Sequence, residues 1–190
     1  MIKPAKLDEE NFIVLIPDLK PIQKITSLRQ FIANHYNLYN KNYSPELHLT
    51  IDRIDKNSST QAIKLLEKIV ANTETFKISI SNFECIEFND TFLTVNVDRT
   101  KPLINFTNCV HQKLERKEIS TIDTYNDWNY HITLINNNFS QRPMPEEELD
   151  KICSILNKKA NPTKTKIKRL EIWKPTLDPK EKVIASFDFT

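Results

Sequence analysis

The 190-residue sequence contains no glycine. Several nucleotide-binding devices need glycine for positive φ or for close backbone approach. A Walker phosphate loop, a GxGxxG dinucleotide turn and a GxSxG nucleophile elbow are therefore excluded. Turns must be made by Asn, Asp and Pro, and any bound phosphate must be held by side chains or helix ends. Cysteine is scarce. Cys85, Cys109 and Cys153 are scattered, with no Cys-x-x-Cys or Cys/His ligand spacing, so reduced, buried, small apolar residues are expected, with no metal and no cofactor. Long apolar runs are also missing. The longest near the N-terminus, Phe12 to Ile16, follows Asp8, Glu9 and Glu10 and is too short for a signal-peptide core or a membrane span. A cytoplasmic location without a membrane partner is the expectation.

Charge of one sign is not in large excess either. A formal net charge of +2 is too mild to announce nucleic-acid binding by bulk electrostatics. Its distribution is uneven, because Lys158, Lys159, Lys164, Lys166, Lys168, Arg169 and Lys174 cluster towards the C-terminus. Such a cluster can attract a phosphate backbone or simply solvate a strand edge. With 39% hydrophobic and 27% charged residues, the chain has the composition of a soluble globular protein. Its length fits one domain, residues 1–190, divided into two lobes.

Periodicity supplies the element order. Phe12 to Ile16 reads as a short buried strand, and Ile22, Ile25, Leu28 and Ile32 recur at helical spacing up to about Asn37. Ser58 with Gln61 suggests a capping box opening a second amphipathic helix through Leu66, Ile69 and Val70. Phe76, Ile78 and Ile80, then Leu93, Val95 and Val97, alternate as antiparallel strands. A third helix starts at Pro102, and a fourth opens on Glu146-Glu147-Glu148, carboxylates that suit the positive end of a helix. Leu170 with Ile172, and Val183 to Phe189, form a closing pair. The result is an α+β chain of two pseudo-symmetric halves, with antiparallel sheets facing across a central cleft and helices outside.

Two copies of one short pattern, His48-Leu49-Thr50 and His131-Ile132-Thr133, lie 83 residues apart in apolar, β-branched surroundings. In a strand, residues i and i+2 share a face, so each His stands beside its Thr while Leu49 and Ile132 point into the core. The other two histidines, His35 and His111, are followed at +2 by Asn37 and Lys113 and lie in helix-like segments. Two imidazoles and two hydroxyls lining one cleft equip a protein for phosphoryl chemistry without a metal. His48 and His131 are then the acid and base, and Thr50 and Thr133 the phosphate cradle. Trp173, Tyr43 and Phe12 are candidates for stacking a nucleobase, and Lys174 or Arg169 for a phosphate contact.

On these motifs the chain resembles the 2H phosphoesterase superfamily, named for its paired H-x-[T/S] motifs, and its 2′-5′ RNA ligase-like (LigT-type) cyclic phosphodiesterases. The likeness extends to the opening Phe12 to Ile16 strand, to Phe92 to Val97 with its following helix, and to the closing Leu170-Glu171-Ile172-Trp173 and Val183 to Phe189 strands. The first motif departs from the usual pattern by running into Ile51-Asp52. Pro175 stands where a Ser is common. The resemblance implies metal-independent hydrolysis of 2′,3′-cyclic phosphate ends of RNA or nucleotides, and a monomer is the expected state. Hydrolysis of 2′-5′ linked or cyclic oligonucleotide signals, and a non-catalytic RNA- or nucleotide-binding protein of the same fold, are the alternatives.

Overall fold

The computed structural model describes residues 3–39, 45–87, 91–158 and 161–190. The order is β1 (Glu10–Pro17), α1 (Gln23–His35), β2 (Leu49–Asp55), α2 (Ser59–Val70), β3 (Lys77–Glu87), β4 (Thr91–Val97), α3 (Lys101–Glu115), β5 (His131–Asn136), α4 (Glu146–Asn157), β6 (Thr163–Trp173), the single turn α5 (Pro179–Lys182) and β7 (Val183–Asp188). No helix among the described residues is long and apolar enough to cross a membrane.

Local chemistry explains most boundaries. The α1 stripe buries Ile22 and Ile32, and the chain leaves the helix through Asn37 at φ 51°. That left-handed conformation would usually go to glycine, and asparagine is among the few substitutes that adopt it readily. After α3 the same role falls to Glu118 at φ 56°. The capping box read at Ser58 and Gln61 does not form, since Ser58 makes no side-chain cap to α2. A 3-10 turn, Lys56–Ser58, precedes the helix, and the Asp55 carboxylate caps that turn by accepting from the Asn57 N–H. The three acidic residues do occupy the first turn of α4, where they complement the helix dipole. The cysteines are free, with Cys153 buried and Cys85 and Cys109 only half-buried.

All seven strands pair antiparallel in one network, in the order β1-β2-β5-β4-β3-β6-β7, with a further β1–β6 pairing that closes it. The two expected sheets are the halves of this network, β7-β6-β1-β2 and β6-β3-β4-β5. Strand β6 serves both, pairing β3 through Thr163 to Lys166 and β1 through Ile167 to Trp173. At the other seam, among the described residues, the halves meet at one rung, Leu49 opposite Ile132. One contiguous core of aliphatic and aromatic side chains spans both halves. A small satellite of Val14, Ile16 and Trp173, with Phe12 against it, lies on the opposite face of β1.

Candidate functional site

The motif strands meet edge to edge. Because Leu49 and Ile132 are directly opposed in an antiparallel pair and both are fully buried, their neighbours along each strand fall on the other face. Antiparallel geometry carried one residue either side of that rung brings His48 towards Thr133 and Thr50 towards His131. All four side chains are half-buried, forming a two-by-two patch in which each His is flanked by both Thr. Flanking strands continue this face. Val14 on β1 pairs with Thr50 and with Glu171 on β6. On β4, Asn96 pairs with His131 and Thr94 with Thr133.

Each motif is followed immediately by a β-bulge. Val14 pairs with Thr50 but Ile13 with Asp52, so Ile51 is the extra residue. Thr94 pairs with Thr133 but Leu93 with Ile135, so Leu134 is the extra residue. A bulge leaves backbone groups out of the ladder, and here the other half of the chain supplies partners. The Tyr125 hydroxyl donates to the Ile51 carbonyl (3.0 Å) and the Trp128 indole N–H to the Thr50 carbonyl (3.1 Å). Reciprocally, Arg29 Nε donates to the Leu134 carbonyl (3.2 Å), and the Tyr39 hydroxyl accepts from the Asn136 N–H (2.8 Å). The duplication of the motif is thus also a duplication of its backbone geometry.

The first bulge has a second effect. Plain alternation from His48 and Thr50 would place Asp52 on the same face, but the extra residue turns it into the core, where it is fully buried. Its carboxylate accepts from Ser120 Oγ (2.7 Å), from the Arg53 N–H (2.7 Å) and from His111 Nδ1 (2.9 Å), and Tyr125 stacks on the His111 ring at 3.8 Å. A buried carboxylate survives only when satisfied in this way.

Both motif imidazoles are oriented by one local device. His48 Nδ1 lies 2.7 Å from the Glu46 carbonyl and His131 Nδ1 lies 3.2 Å from the Asn129 carbonyl, in each case two residues upstream. A carbonyl can only accept, so Nδ1 carries the hydrogen and Nε2 holds the lone pair in the neutral ring. Burial pushes the His48 imidazolium down to about 4, with the Lys182 ammonium and His131 acting in the same direction and the Glu46 carbonyl opposing. His131 is also lowered by burial, against the Asn129 carbonyl and the Glu84 carboxylate. Two neutral imidazoles at pH 7 and two hydroxyls can accept a proton from water and hydrogen-bond an anion's oxygens. Among the described residues no group of three or more His, Cys, Asp and Glu could hold a metal ion.

The remaining sequence candidates are placed differently. Trp173 is only 5% exposed, its ring centroid 4.5 Å from that of His48 and its N–H donated to Glu171 at 2.5 Å. Phe12 is half-buried against the satellite cluster, and Tyr43 lies outside the described residues. Arg169 is engaged by Glu171 (2.5 Å) and Glu46 (3.5 Å). Lys174 lines a separate recess of about 520 Å³ with Leu7, Lys56 and Thr176, which no motif residue lines. Sequence reasoning missed Lys182 and Glu46. Lys182 Nζ sits 3.9 Å over the Trp173 ring and 2.7 Å from the Glu46 carboxylate. Only the position of Glu46, two residues before the first His, could have flagged it.

The sequence model of the 2′-5′ RNA ligase superfamily matches residues 17–179. The fold is similar to that of E. coli LigT complexed with 3′-AMP, at 12% identity and TM-score 0.57, covering 96% of this chain and 98% of that one. E. coli LigT complexed with NADP+ matches at 12% identity and TM-score 0.54 over the same shares of the two chains. TT0787 of Thermus thermophilus matches at 12% identity and TM-score 0.58, covering 95% and 97%. No curated protein sequence matches the chain. With its family model matched over most of its length and a LigT-like fold, the chain belongs to the 2′-5′ RNA ligase superfamily of 2H phosphoesterases.

Proposed function

We propose that this protein is a metal-independent phosphodiesterase that opens 2′,3′-cyclic phosphate ends of RNA or nucleotides. The observation that carries this reading is the two-by-two patch with both Nδ1 atoms occupied by backbone carbonyls, which leaves both Nε2 atoms for chemistry. His48, the more strongly neutral ring, takes the proton from water as its oxygen bonds to phosphorus. The bond from phosphorus to one ribose oxygen breaks, and His131 Nε2 delivers a proton to that oxygen. The anionic phosphodiester favours the protonated form of a nearby imidazole. His131, with the Glu84 carboxylate near it and no lysine opposing, is the better recipient. Thr50 and Thr133 donate to the nonbridging oxygens, whose charge must be stabilised during in-line displacement.

That E. coli LigT, similar in fold, forms complexes with 3′-AMP and with NADP+ supports a nucleotide as ligand. The test is turnover of the four nucleoside 2′,3′-cyclic monophosphates and of a short RNA with a cyclic end, in EDTA, beside the His48→Ala/His131→Ala double variant. EDTA-resistant cleavage that disappears in the double variant is expected. Cleavage of 2′-5′ linked or cyclic oligonucleotides alone would move the substrate while keeping the mechanism. Nucleotide binding without turnover of any substrate would overturn the enzymatic reading.

A further inference from the structure

We propose that Glu46, Lys182, Trp173, Glu171 and Arg169 form a closed ring of contacts that fixes the orientation of the His48 imidazole, with Lys182 and Glu46 as its positioning residues. The inference rests on the reading of His48 as a working group. The ring can be traced bond by bond. Lys182 Nζ pairs with Glu46 Oε2 at 2.7 Å and lies over the Trp173 ring at 3.9 Å. The Trp173 N–H donates to Glu171 Oε2 at 2.5 Å. Arg169 Nε donates to Glu171 Oε1 at 2.5 Å, while its Nη2 reaches Glu46 Oε1 at 3.5 Å, which closes the circuit. Ser186 Oγ adds a donor to Glu171 at 3.2 Å.

Two members touch His48 itself. The Glu46 carbonyl accepts from Nδ1, and the Trp173 ring packs on the imidazole at 4.5 Å. The residues come from the approach to β2, from β6 and from α5, so three separate segments converge on one side chain. His131 has the same Nδ1-to-carbonyl contact, but among the described residues no aromatic ring packs on it, and Asn129 is exposed. The pseudo-symmetric motifs are therefore held asymmetrically.

A stability role does not explain the ring. Glu171 is buried, and charges taken out of water regain little more than their desolvation cost. Apolar residues of similar volume would stabilise at least as well. What a closed circuit of directional contacts provides is a fixed position, and a proton acceptor needs its Nε2 aligned with the attacking water. The charges facing His48 are Lys182 from α5, Glu46 from its own approach, His131 from β5 and the mutually paired Arg169 and Glu171 from β6. Lys182 opposes protonation of the ring and Glu46 favours it.

The experiment is an NMR titration of the histidine ring signals in wild type, Lys182→Met, Lys182→Arg and Glu46→Gln, with kcat and KM measured across pH on the cleaved cyclic nucleotide. Lys182→Met is expected to raise the His48 midpoint by about one pH unit with a smaller effect on His131. The acid limb of kcat/KM should move with it, and kcat should fall by about tenfold with KM little changed. Lys182→Arg should restore both. Glu46→Gln, which keeps the backbone carbonyl and the side-chain shape, should lower the midpoint and covers the case in which Lys182→Met does not fold. An unmoved His48 midpoint in Lys182→Met and Glu46→Gln, or an Arg variant as impaired as the Met variant, would overturn the ring. The titration needs no turnover, so an inactive wild type would count against the phosphodiesterase reading alone.

Discussion

An imidazole whose Nδ1 hydrogen is committed to a backbone carbonyl offers one nitrogen to its surroundings, and the surroundings decide whether that nitrogen is charged. For His48 they favour the neutral form down to about pH 4. The sign of the stability effect follows. The unfolded chain takes up the proton near pH 6.5, the native chain only near 4, so the native state loses stability as pH falls through that window. Denaturant titrations at pH 7 and pH 4.5 should show the loss, and His48→Ala should reduce it. On activity, single His48→Ala and His131→Ala changes should each lower kcat by about a hundredfold or more. Thr50→Val and Thr133→Val should cost about tenfold or more, with Ser variants recovering part. The four motif residues could be read from the sequence because one local rule, alternation along a strand, carries them. The ring around His48 could not, because Glu46 lies 136 residues before its partner Lys182 and ordinary Glu and Lys leave no local signature.

At the scale of elements, alternation succeeds up to the motif threonines and fails one residue later. The bulges at Ile51 and Leu134 add a residue whose effect cannot be seen in a pattern of apolar and polar positions, and the first turns Asp52 inward. Apolar Ile135, in the matching place of the second motif, gives no such clue. Helix positions were legible because three-to-four spacing is strong over ten or more residues, whereas the Ser58 cap was not, because the preceding turn changes what Ser58 can reach. Removing the hydroxyl that serves the first bulge, Tyr125→Phe, leaves the Ile51 carbonyl without that donor and should cost about 1–2 kcal/mol in urea unfolding. His111→Ala, which strips a donor from the buried Asp52 carboxylate, should cost more, about 3 kcal/mol.

Across the whole molecule, the two halves were predictable as a repeated order of elements, but not the manner of their joining. Pairing between strands far apart in sequence has no signal in either strand alone. Strand β6 runs through both halves, and the motif strands share an edge, so the halves cannot swing apart as two independent bodies without breaking ladder hydrogen bonds. The backbone at the two motifs should therefore change little on ligand binding. Amide hydrogen exchange of β2 and β5 with and without a bound nucleotide would check this, with protection expected to grow mainly in the loops.

The same closed pairing governs how the chain comes together. The first strand lies between the second and the sixth, Phe12 against Trp173 and Ile13 against Ile172, so an early segment waits for one made almost last. Contacts of such large sequence separation raise the contact order and slow folding, since loop closure must precede any reward. Until residues 163–173 arrive during synthesis, the β1 edge has no lasting cover on that side, and His48 lacks the aromatic ring that packs against it. Activity should accordingly emerge only with the final cooperative step of refolding.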